Sequence, residues 1–129
     1  MNSSIVNNMF EKYSSIVNNI LKEYSKIQNK VRNICYDFIK DFLTNVANNE
    51  IVIDYSDFPE YITVTYDGGN HPEYASNVFS TINRIYMRNN ELYVDTEDTT
   101  TYNLNNATTD DLASICTFII TYSDKFTNS

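Results

Sequence analysis

The sequence predicts an α+β fold: a long N-terminal helix, an antiparallel sheet of about five strands, and a C-terminal helix packed on one sheet face. Three observations predict it. Residues 3–47 contain no glycine or proline and keep their apolar side chains at helical spacing. From residue 50 the spacing switches to two, in short runs separated by turn residues. Near the end, Thr108 followed by Asp110 and Asp111 opens a second apolar run in the manner of a helix start.

The first helix is built on a repeat. The hexapeptide SSIVNN occupies residues 3–8 and again 14–19, and at a spacing of eleven the chain aligns as SSIVNNMFEKY, SSIVNNILKEY, SKIQNKVRNIC. Three α-helical turns take about 10.8 residues, so this period returns to nearly the same face. The apolar residues keep to it: Ile5, Val6, Met9, Phe10 and Tyr13, then Ile16, Val17, Ile20, Leu21 and Tyr24. The stripe continues through Ile27, Val31, Ile34, Cys35, Phe38, Ile39, Phe42 and Val46. One helix of about 43 residues, roughly 65 Å long, is the expectation; two helices broken near residues 25–29 are the alternative. Such a helix outreaches a domain of this size, whose radius of gyration is about 14 Å. Its second half is expected to pack on the sheet. Its first half, with Ile5, Met9, Phe10, Ile16, Ile20 and Leu21, is expected to pack on another copy, because an exposed apolar patch of several hundred Å² is unusual on a monomer. A duplication that merely lengthens the helix gives the same pattern. Residues 1–48 are thus read as a helix serving oligomerisation and sheet packing, and residues 49–129 as a small acidic α+β domain, within one folded unit.

Residues 51–55 and 61–66 read as strands joined by a turn at 56–60. Residues 82–95 give a hairpin around Asn89-Asn90, since asparagine tolerates the positive φ of a type I′ turn. That loop sets Arg88 opposite Glu91, Tyr86 opposite Tyr93 and Arg84 opposite Asp95, with Ile85 facing Val94 and Met87 facing Leu92 on the buried side. A further strand covers 100–104. The C-terminal helix, capped by Thr108, turns Leu112, Ile115, Cys116, Ile119 and Phe126 inward, with Phe118 and Ile120 broadening the stripe.

Charge narrows the function classes. The 129-residue chain has net charge −8. Residues 1–48 hold six basic and four acidic residues, and residues 50–129 three basic and thirteen acidic. Direct nucleic-acid binding by the sheet is disfavoured, because phosphates would meet an acidic surface. A basic protein surface is the better partner, and a solvated acidic face is the plainer reading. No apolar run approaches the roughly 18 residues of a membrane span, and the start lacks the basic and apolar regions of a signal peptide. No membrane association and a cytoplasmic location are therefore expected. Cys35 and Cys116 are read as reduced, buried thiols, with a disulfide between helices as the alternative. With one histidine they make no zinc spacing, so neither metal nor cofactor is expected. The plentiful asparagine, isoleucine, tyrosine and lysine reflect an AT-rich genome, as in low-GC bacteria, their phages and mobile elements, or some eukaryotic viruses.

One loop stands out. YDGGNHPEYASN, residues 66–77, contains both glycines, the only histidine and one of the two prolines. Asp67, Gly68, Gly69, Asn70, His71, Glu73 and Tyr74 form a candidate partner- or ligand-binding cluster, since histidine is the residue type suited to proton exchange near neutrality and a carboxylate such as Glu73 is the type that orients one. An irregular connection is the structural alternative. Pro72 is expected to open a short helix over 72–80, with Tyr74, Val78 and Phe79 at helical spacing. No nucleophile, oxyanion donor set or metal motif accompanies the loop, so no catalytic residue is assigned. The functional expectation is a non-enzymatic interaction or assembly protein, self-associating through its N-terminal helix. A phage or mobile-element origin fits, as a structural component or an inhibitor of a host factor. The alternative is a small-molecule binder or hydrolase centred on residues 67–74.

Overall fold

The long helix is continuous. In the computed structural model of the chain, which describes residues 3–67 and 77–127, α1 spans Ser3–Asn45, 43 residues without a break. It ends where Asn48 and Asn49 take φ of 56° and 69°, a conformation asparagine tolerates better than most residues. The Asn49 N–H donates back to the Leu43 carbonyl at 2.7 Å, and the Asn49 carbonyl accepts from Met87 at 3.0 Å. The helix end is thereby tied directly to the sheet.

The remaining elements are β1 (Glu50–Val52), β2 (Thr63–Asp67), β3 (Asn77–Arg88), β4 (Glu91–Thr96), β5 (Thr101–Asn103) and α2 (Thr109–Thr121). The 12-residue β3 is the axis of the sheet. β1 pairs with its C-terminal half and β2 with its N-terminal half, while β4 and then β5 follow on, all antiparallel. Between β1 and β2 the chain leaves the sheet through a 3-10 turn at Tyr55–Asp57. The Tyr55 hydroxyl spans that gap, donating to the Ile82 carbonyl and accepting from the Ile62 N–H at 3.4 Å. Burial pushes this phenol up to about 12. The β3–β4 hairpin has the expected register from Arg84↔Asp95 to Arg88↔Glu91. Its turn residues Asn89 and Asn90 take φ of 53° and 64°, as a type I′ turn requires.

Several elements differ in extent from the sequence expectation. The first strand stops at Val52 because the Asp54 carboxylate accepts from the Ser56 N–H at 3.1 Å and starts the 3-10 turn. β2 begins at Thr63 rather than at residue 61. The strand expected over 100–104 contracts to Thr101–Asn103, because the Asn103 side chain accepts from the Asn105 N–H at 2.9 Å and turns Leu104–Asn106 into a 3-10 helix. The short helix expected over 72–80 does not include 77–80, which extend β3 and pair with β2 from Asp67↔Asn77 to Val64↔Ser80. Two apolar residues at Val78 and Phe79 fit either period, and ladder hydrogen bonds decide for the strand. In α2, Ile120 is exposed rather than inward, and Phe126 reaches the core from beyond the helix end.

Both helices cover one sheet face. Cys35, Ile39 and Leu43 of α1 and Leu112, Ile115, Phe118 and Ile119 of α2 pack against Ile51, Val64, Ile82, Ile85, Leu92 and Val94. Phe58, from the excursion after β1, inserts beside Phe118, Tyr122 and Phe126 with ring centroids 5.1, 5.1 and 5.5 Å away. Cys35 and Cys116 are free thiols, the first buried and the second half-buried. Burial, and then the Cys35 thiol beside it, push the Cys116 thiol up to about 11. The opposite sheet face is a polar and aromatic ladder. Arg84 pairs with Glu50 at 2.6 Å and Asp95 at 3.4 Å and lies 3.9 Å over the Tyr86 ring. Tyr86 stacks on Tyr93 at 5.9 Å, and Arg88 lies over Tyr93.

Carboxylates secure the joints. The Thr108 hydroxyl caps α2 by accepting from the Asp111 N–H at 3.1 Å. The buried Asp111 carboxylate accepts from the Thr65 N–H at 2.8 Å and the Thr65 hydroxyl at 3.2 Å, pinning the helix start to the edge of β2. Asp98 accepts from the hydroxyls of Thr96 and Ser80 and from the Thr100 N–H, and these bonds hold its carboxyl down to about 2. The turn it organises forces Thr99 to φ 64°, which is costly for a β-branched residue.

Two stability effects follow. Asp111→Ala removes a charge-assisted acceptor from two donors of β2 and should cost about 2 kcal/mol in urea denaturation. Thr99→Gly relieves the positive φ and should raise stability by about 1 kcal/mol in the same measurement.

Candidate functional site

Only the last part of α1 completes the core. Among the described side chains Cys35 is the first that is buried, and every one from Ser4 to Ile34 is exposed or half-buried. Residues 4–31 therefore form an arm extending roughly 42 Å at 1.5 Å per residue. The six residues expected to serve association, Ile5, Met9, Phe10, Ile16, Ile20 and Leu21, are all exposed on it. Tyr13, Val17, Tyr24, Ile27, Val31 and Ile34 join them, and the twelve range from 39% exposed at Val31 to 68% at Ile34. Helical periodicity gathers these residues on one face, a little under half the circumference. The eleven-residue period keeps that face from winding around the rod.

The third repeat breaks the pattern where the arm meets the body. Gln28 and Arg32 stand at the repeat positions that hold Val6 and Val17, and Phe10 and Leu21. The Arg32 guanidinium donates to the carbonyls of Ala107 at 3.2 Å, Leu104 at 3.3 Å and Asn105. These carbonyls converge at the 3-10 turn that precedes α2, and the planar fork of arginine fits such a cluster better than the point charge of lysine. Arg32 thus fixes the arm's exit from the body. The sequence signal for it was a cation in place of an apolar residue in an otherwise regular repeat.

The distinctive loop supplies less. Asp67 closes β2 opposite Asn77. Gly68, Gly69, Asn70, His71, Glu73 and Tyr74 lie outside the described residues, in the segment that joins the paired strands β2 and β3. An open recess of about 460 Å³ lies between the excursion after β1 and α2, lined by residues that include Glu60, Tyr61, Asp110, Ser114, Thr117 and Phe118. Its lining carries two carboxylates and two aliphatic hydroxyls but no histidine, cysteine or lysine. Among the described residues, no three His, Cys, Asp or Glu side chains gather as a group able to hold a metal ion. Among them, too, no helix is long and apolar enough to cross a membrane.

No family model matches the sequence, and no curated protein or solved structure matches it either. Among the described residues, most of the large apolar side chains that are exposed stand on α1 between Ile5 and Ile34.

Arg32→Met keeps the aliphatic stem and takes the guanidinium donor from all three carbonyls, of which that of Leu104 keeps the Ala107 N–H at 3.1 Å. It should destabilise the protein by about 1–3 kcal/mol in urea denaturation, and Arg32→Lys should recover only part of the loss.

Proposed function

We propose that the protein is a non-enzymatic assembly or interaction protein whose α1 arm binds a second copy of the chain. The uncovered stripe of the arm is the observation that carries this reading. Half the surface of a helix about 11 Å across and roughly 42 Å long is about 700 Å². That is close to the roughly 800 Å² per partner of a standard protein–protein interface, and far more than single scattered surface apolar residues present. The occupant proposed is another copy, because the repeated face is regular along its length and so fits a face with the same spacing. The reading gives the acidic body a basic protein surface as its further partner, since residues 50–129 carry thirteen acidic against three basic residues. It places the protein in the cytoplasm, where free thiols such as Cys35 and Cys116 persist. The AT-rich composition supports a phage or mobile-element origin.

Light scattering tests the reading. At tens of micromolar the full chain should show a multiple of its 15.0 kDa monomer mass. Removing residues 1–24, or introducing Ile20→Asp, should reduce it to the monomer while the far-ultraviolet signature of the body persists, because the body's buried residues begin at Cys35. A full-length protein that is monomeric under these conditions refutes the proposal.

A further inference from the structure

Building on the self-association proposed above, we infer that two arms pair antiparallel, about a two-fold axis near Val17 and Asn18, with Lys12 of each copy against Glu23 of the other. Three observations lead there.

The first is the extent of the stripe. Within the arm, from Ile5 to Val31, its midpoint is Asn18, so an antiparallel pair centred there overlaps the two stripes over the full length of both arms, with only Ile34, past the Arg32 anchor, left outside. Sliding the register by one repeat uncovers a repeat's worth of apolar side chains on each copy, at a cost of order 25 cal/mol per Å².

The second is the one systematic difference between the first two repeats. SSIVNNMFEKY becomes SSIVNNILKEY, and the charged pair EK is inverted to KE. Helical geometry puts Lys12 and Glu23 at the same repeat position, on one margin of the apolar face, where flanking charges set partner orientation in paired helices. The other margin is neutral, with Ser14 and Ser25. Antiparallel packing brings like margins together, whereas parallel packing brings opposite margins together. Lys12 and Glu23 lie equally far from the midpoint between Val17 and Asn18, so the antiparallel register sets Lys12 level with Glu23 of the other copy, twice by symmetry. Both side chains are exposed, and within one chain Glu23 reaches Lys26 at 3.3 Å.

The third is the charge of the bodies. Each carries ten more acidic than basic residues over residues 50–129. Parallel arms bring the two bodies side by side. Antiparallel arms hold them at opposite ends, with the two Arg32 anchors roughly 40 Å apart, several times the screening length of about 8 Å at physiological salt.

Charge reversal in the full-length protein tests the pairing, read as the dissociation constant by analytical ultracentrifugation. Lys12→Glu alone and Glu23→Lys alone each set like charges against one another at both contacts, and each should weaken self-association about tenfold. An equimolar mixture of the two variants should restore wild-type affinity, because the mixed dimer has opposite charges at both contacts. If the wild type associates but single reversals leave its affinity unchanged, or mixing restores nothing, the antiparallel register is wrong while self-association stands. If the wild type is a monomer, both fall together. Because both residues are exposed, circular dichroism should show an unchanged fold in each variant.

Discussion

The α1 rod carries two seams, and the angle between them governs the shape of the molecule. The seam that meets the body passes through Arg32, Cys35, Ile39 and Leu43, and the uncovered seam passes through Ile5, Ile16, Ile20 and Ile27. At about 100° per residue the two are rotated by a little over a third of a turn. No glycine or proline interrupts the helix, so the few turns buried against α2 and the sheet aim everything that precedes them. A change that tilts Leu43 or Arg32 by a small angle moves the far end of the arm by many ångströms. The body's packing therefore sets the direction in which the arm is presented.

The acidity of the body has a local origin. With two glycines and two prolines in the chain, its turns rely on side chains that fold back on the backbone. Asp54 starts the 3-10 turn after β1, Asp98 organises the β4–β5 turn, Asn103 starts the turn before α2, and Asp111 fastens α2 to β2. Asparagines supply positive φ at 48, 49, 89 and 90, where glycine is the usual choice. Part of the negative charge is thus a by-product of how the fold turns corners. Its long-range consequence is a strongly acidic body, with thirteen acidic against three basic residues over 50–129.

Features written in local sequence were readable in advance, and features that join distant segments were not. The hairpin register followed from two asparagines between alternating runs, and the Thr108 cap from its neighbours Asp110 and Asp111. The continuity of α1 followed from the absence of breakers. Arg32 was missed because its acceptors are backbone carbonyls more than seventy positions away, which have no residue-type signature. The second task of Asp111 was missed for the same reason: a helix-start aspartate looks alike whether or not it also accepts from Thr65. Residues 77–80 carry an ambiguous signal, because two apolar side chains cannot distinguish a period of 3.6 from a period of two without a partner strand. For the candidate site, the apolar stripe was legible residue by residue. The place where it stops being exposed was not, since that depends on where the body begins.

The eleven-residue unit also makes the arm a ruler. Adding or removing one unit changes its length by roughly 16 Å and leaves the apolar stripe on the same side. Adding five or six residues instead swings the outer part of the stripe to the far side of the rod. Reach can therefore change only in whole units if the surface is to be kept. A chain that copies this unit lengthens its apolar face without turning it.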